Sequence, residues 1–127
     1  MEIGDTFLLA RKNIDEHFWI VISHPQYNPE CVIIVNLTSW HAIKDQSCIL
    51  DPQDHDWIRH RTCISYQDAK CVSESKLDQL IAAGELRPHT SASPALLGKI
   101  LQGAFLTDAM PNKCKQVLIE QDLIDGD

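Results

Sequence analysis

Glycine is scarce in this chain, five in 127 residues, and none of the five forms a phosphate-cradling or nucleophile-bearing loop. The sequence therefore has no dinucleotide fingerprint, no P-loop and no Gly-x-Ser-x-Gly elbow, and nucleotide-dependent chemistry is not expected. It has no Cys-x-x-Cys pair either. The five cysteines, Cys31, Cys48, Cys63, Cys71 and Cys114, are odd in number, and three lie in apolar strand-like runs. Free buried thiols acting as small hydrophobes are the expectation, and a zinc site built from them is not. No apolar run approaches the length of a membrane span. The start, MEIGDTFLLARK, lacks a basic segment leading into an apolar one, so no signal peptide is expected. A cytoplasmic location with no membrane partner follows by elimination. Positive charge is also short: 11 Lys and Arg face 18 Asp and Glu, a net charge of −7. That argues against broad nucleic-acid affinity, since phosphate binding needs local cations, but leaves room for a small basic patch.

What is present is enough for one domain. An apolar fraction of 44% is ordinary for a globular chain, and 127 residues close one core, not two. Residues 6–10, 18–23, 31–37, 47–50 and 62–66 are rich in β-branched and aromatic side chains and are separated by turn residues. Asn28-Pro29 marks a reversal between the second and third runs, and Asp51-Pro52 ends the fourth. Spacing of about ten residues per strand fits a small antiparallel barrel. The period then changes. Ser75 is read as the cap of a short helix with Leu77, Leu80 and Ile81 on one face, closed by Gly84. Ser93-Pro94 opens a second helix carrying Leu96, Leu97, Ile100, Leu101 and Ala104 on one face. Gly98 and Gly103 weaken it, and close packing is the expected reason. The segment from Cys114 is ambiguous between strand and helix, with an acidic tail behind it. The fold expected is mainly β with α, a small SH3-like barrel over residues 3–72 followed by two or three short helices.

The stretch HFWIVISHPQYNPECVIIVNLTSW carries the chemistry. Two apolar strands end in His17 and Ser23 on one side and in Asn36, Thr38 and Ser39 on the other. His60 precedes the fifth strand, and Arg59, His60 and Arg61 form the one dense cationic cluster. If strands two and three make a hairpin, His17 comes near Thr38 and Ser39. Two imidazoles to exchange protons and hydroxyls to hold a phosphate oxygen are what a metal-free ribonuclease needs. His55 and His60 lie in DPQDHDWIRH, which has no helical period, so two ligands on one helix face are not expected, and no metal is assigned. His24 and His89 adjoin prolines and read as solvated turn residues.

Gly4-Asp5, then His17 to Ser23, then residues 32–37 leading into Thr38-Ser39, then residues 61–66 and a helix at 76–83 resemble the PemK/MazF/Kid group of growth-inhibitor toxins. The resemblance covers residues 3–83. It implies one PemK/MazF-like domain over 1–127, a homodimer, an antitoxin protein as partner, single-stranded RNA as substrate and no cofactor. From the strand-end geometry the expected catalytic set is His17, Thr38, Ser39 and His60, with Arg59 and Arg61 binding RNA; the resemblance matches it at Thr38-Ser39. Three tryptophans, Trp19, Trp40 and Trp57, add to the expectation of a dimer. Two departures stand out. Ribonuclease members carry Arg where this chain has His17, and the loop at residues 11–16 is short. A non-catalytic barrel that binds a protein partner, including the gyrase-directed CcdB kind, or an inactive relative, is the alternative. A metal-dependent hydrolase using His55 and His60 is the third reading.

Overall fold

A computed structural model describes residues 1–9, 17–40 and 45–126. Among the described residues five strands come first, and three helices and a sixth strand follow: β1 Thr6–Leu9, β2 His17–Val21, β3 Val32–Ser39, β4 Ile49–Leu50, β5 Thr62–Val72, α1 Glu74–Ala82, β6 Leu86–His89, α2 Pro94–Leu106 and α3 Asn112–Glu120. They form one antiparallel sheet in the order β4-β5-β3-β2-β1-β6. The chain is thus a mixed α/β fold on an open sheet. No pairing among the described residues joins the edges β4 and β6.

Alternation along the strands divides the apolar residues between two faces. Phe18, Ile20, Ile33, Val35, Leu37 and Ile64 face the larger core, where Leu96 and Ile100 of α2 and Val117 and Leu118 of α3 cover them. Trp19, Val21, Val32 and Ile34 point the other way and are covered by Leu77 of α1. Strands buried on both faces explain the near-continuous apolar runs in β2 and β3. They also explain Trp19, which is core rather than a surface left for a partner.

β5 is longer than its apolar run because a bulge lets it continue. Ile34 pairs with Lys70 and Asn36 with Ser65, so four residues of β5 span the place of Val35 alone. The bulge buries Tyr66 and Ala69 on the larger core while Ser65 and Lys70 keep to the other face.

One capping expectation needs correction. α1 is capped by Ser73, not Ser75; the Ser73 hydroxyl accepts from the Lys76 N–H at 3.2 Å. Ser93 caps α2 as expected, accepting from Leu96 N–H at 3.1 Å. The segment 86–89 is a strand despite Pro88, because β6 lies at the sheet edge, where a missing N–H is tolerated. The segment from Cys114, ambiguous in sequence, belongs to the helix α3. Gly84 ends α1 with φ +76°, which favours glycine. Gly103 sits where a Cβ would run into the Tyr66 hydroxyl and the Ser47 carbonyl; nothing approaches Gly98.

The cysteines differ too. Cys31 and Cys71 form a disulfide between the start of β3 and the end of β5, while Cys48, Cys63 and Cys114 are buried thiols outside any disulfide. The expectation of five free buried thiols is thus corrected for Cys31 and Cys71. Among the described residues no helix is long and apolar enough to cross a membrane.

One ion pair ties the site's side of the fold to α2. Asp54, at the end of a 3-10 turn (Pro52–Asp54), accepts from Asp51 N–H at 2.8 Å and from Lys99 Nζ at 2.7 Å. Burial pushes its carboxyl up, but the Asp51 N–H and the Lys99 ammonium outweigh that and hold it below the usual carboxylate value. A depressed folded pKa gives stability that is present above the unfolded value and lost as pH falls through the folded one. Asp54→Asn keeps an acceptor for Asp51 and removes the charge. The stability gap between parent and Asp54→Asn, from urea midpoints, should be fully open above the ordinary carboxylate pKa of about 4 and narrow as pH falls below it. A gap independent of pH would place its origin elsewhere.

Candidate functional site

The β2–β3 register pairs Trp19 with Asn36 and Ile20 with Val35. Continued two residues toward the start of β2, it sets His17 level with Thr38, both on the face of the sheet opposite the larger core. β3 and β5 pair Thr38 with Cys63 and Ser39 with Thr62. The turn entering β5 therefore delivers Arg59 and His60 to the same end of the sheet. The Thr62 hydroxyl fixes that turn by donating to the His60 carbonyl at 2.9 Å.

These elements enclose a groove of about 430 Å³ lined by His17, Leu37, Thr38, Ser39, Trp57, Arg59, His60 and Thr62. Ser39 Oγ and His60 Nε2 are hydrogen-bonded at 2.8 Å, so the hydroxyl sets the orientation of the imidazole. Arg59 is braced by its own turn, donating from Nη1 to the Asp56 carbonyl at 2.8 Å. Five of the six residues singled out from sequence thus share one groove. Arg61 does not line it. Its guanidinium turns to Asp51, Nε to Oδ1 3.3 Å, and lies 5.8 Å from the centroid of the Trp40 ring. The residues 11–16 of the first loop lie outside those described.

Two histidines do other work. His55 is buried, accepts from Trp57 N–H on Nδ1 at 3.0 Å and meets the Thr90 carbonyl with Nε2 at 2.7 Å. Nδ1 must be bare to accept, so in the neutral ring Nε2 carries the proton and donates. With both nitrogens committed, His55 is a fastener of the turn rather than an open ligand, which removes the basis for pairing it with His60 on a metal. Among the described residues no three His, Cys, Asp or Glu side chains are grouped as a metal ion requires. His89 is not a solvated turn residue: it ends β6, its Nδ1 is buried, and its ring meets Phe18 edge-on at 5.6 Å. Burial pushes the Cys48 thiol up to about 11 and raises Cys114 as well, so neither is poised as a nucleophile.

A larger cleft of about 590 Å³ opens on the side of the sheet that α1 covers. Its lining is Phe7, Leu9, Trp19, Ile34 and other apolar residues with Lys70, Lys76 and Glu85, and it holds no imidazole or hydroxyl. Of these two, the smaller groove is the one that brings imidazoles and hydroxyls together. What the sequence reading missed there is Trp57, assigned to dimer packing. The available signal was an aromatic interleaved with basic residues in His-Asp-Trp-Ile-Arg-His. Comparison with protein-family models, with curated proteins and with solved structures finds no match for this chain.

Proposed function

We propose that the groove cleaves single-stranded RNA by transfer to the ribose 2′-oxygen, without a metal ion. The observation that carries this reading is the meeting of His17, Thr38, Ser39, Arg59 and His60 around one groove. One imidazole takes the 2′-hydroxyl proton as that oxygen attacks phosphorus. The other gives a proton to the 5′-oxygen as its bond to phosphorus breaks. The products are a 2′,3′-cyclic phosphate and a 5′-hydroxyl. Thr38 donates to the phosphorane oxygens and Arg59 supplies the cation that a chain of charge −7 otherwise lacks there. Ser39 holds His60 in line.

The likeness to PemK/MazF/Kid toxins supports the same reading and extends it. The open sheet is then the SH3-like barrel of that group, the protein works in the cytoplasm, two copies pair, and an antitoxin protein restrains them. Phe105 and Leu106, exposed at 42% and 57% on α2, are apolar surface available for such pairing. The alternative is a non-catalytic module on the same scaffold that binds a protein partner. His17 in place of the family arginine favours it, because a permanent fork for phosphate is lost.

Incubation of the purified protein with single-stranded RNA in excess EDTA tests the reading. Fragments ending in cyclic phosphate are expected. Intact RNA at every protein concentration overturns it in favour of the binding module, and cleavage that EDTA abolishes overturns the metal-free mechanism.

A further inference from the structure

We infer that Trp57 is a stacking platform for the nucleobase next to the cleaved phosphate, a subsite that rests on the ribonuclease reading. Of the three tryptophans, Trp19 is buried in the second core and Trp40 lies under Arg61; only Trp57 lines the groove. It is held there from two sides. Its indole is stacked on Phe18 with ring centroids 4.8 Å apart and planes 17° from parallel. Its backbone N–H is fixed to His55 Nδ1 at 3.0 Å, and His55 packs on the same Phe18 ring at 4.9 Å. One face of the indole is spent on Phe18, and the ring as a whole remains only partly buried. What it presents to the groove is aromatic surface beside Arg59 and His60.

That combination has a specific chemical partner. A cationic groove with an aromatic wall matches the phosphate and the π-face of a nucleotide in single-stranded nucleic acid, and it is tolerant of sequence because every base has such a face. The ring is fixed before the ligand arrives, so little side-chain freedom is lost on stacking. In duplex RNA the base would be stacked on its neighbours, so the platform favours unpaired strands.

A 2′-O-methyl RNA oligonucleotide, which has no free 2′-hydroxyl and resists cleavage, separates binding from catalysis. The parent should bind it with quenching of tryptophan fluorescence, and removing one base at the matching position should weaken binding about tenfold. Trp57→Leu, which keeps apolar contact with Phe18, should lose about as much on the intact oligonucleotide and become indifferent to the abasic site. Trp57→Phe should recover part of the loss. Unfolding midpoints of all three proteins establish that the comparison is between folded molecules. Affinity unchanged in Trp57→Leu, an abasic penalty that survives the substitution, or a parent that binds no single-stranded oligonucleotide each overturns the platform. A parent that shows the abasic penalty yet never cuts unmodified RNA upholds the platform and overturns the ribonuclease reading. Cleavage with an unaltered KM in Trp57→Leu does the reverse.

Discussion

Replacing His60 with alanine is expected to slow RNA cleavage by about two to four orders of magnitude, the usual cost of removing a proton-transfer group. His17→Ala should cost a similar factor, and the double variant little more than either alone, because acid and base act as a unit. The losses should fall on kcat, since neither imidazole anchors the strand. Both residues lie where substitution disturbs little of the fold: His17 is only partly buried at the first position of β2, and His60 is exposed in a turn. Ser39→Ala separates orientation from chemistry. The Ser39 Oγ bond to His60 Nε2 is 2.8 Å, and its removal frees the ring without deleting it. A smaller loss than His60→Ala is therefore expected, together with a changed pH profile. Thr38→Ala should lower turnover by about 10²-fold as a lost donor to the phosphorane. If His17→Ala and His60→Ala both cut at the parent rate, the groove is not the seat of cleavage.

The elements that local pattern determines were legible. β-branched runs marked β1, β2, β3 and β5, and a capping serine before proline marked α2. Strand ends bearing His17 on one side and Thr38 and Ser39 on the other sufficed to foresee that these side chains meet, because an antiparallel hairpin of fixed register does the rest. What stayed hidden depends on distant partners. The bulge that carries β5 on to Val72 is visible only against β3. β6 forms because β1 offers an edge, in spite of Pro88. Cys31 and Cys71 are 40 residues apart, and spacing alone cannot pair them. Arg61 was indistinguishable from Arg59 in sequence; Asp51 and Trp40 draw it away from the groove. His55 looked like half of a metal site because its two backbone partners, one of them Thr90, 35 residues on, leave no trace in the local pattern.

Phe18→Ala should be the most damaging single substitution to stability, at about 3–5 kcal/mol. Phe18 is fully buried in the larger core, and its ring is the common surface for Trp57, His55 and His89. Truncation removes the transfer energy of the ring and leaves a cavity that three aromatic neighbours, held by their own backbones, cannot close. For a domain whose whole stability is of order 5–15 kcal/mol, this is a large share. A fall in Tm of roughly 10–20 °C is expected at this chain length. Phe18→Leu, which refills most of the volume, should cost less than half as much. The site should register the change as well as the core. Without the ring beneath it, Trp57 loses its stacking partner, and the turn that carries Arg59 and His60 loses one of its supports, leaving its hydrogen bonds and buried Ile58 to hold it. At a temperature where Phe18→Ala is still folded, its KM for RNA should therefore rise while the parent and Phe18→Leu stay close to one another. A destabilised variant with an unchanged KM would show that the larger core and the groove wall are independent, and that the Phe18–Trp57 stack serves packing alone.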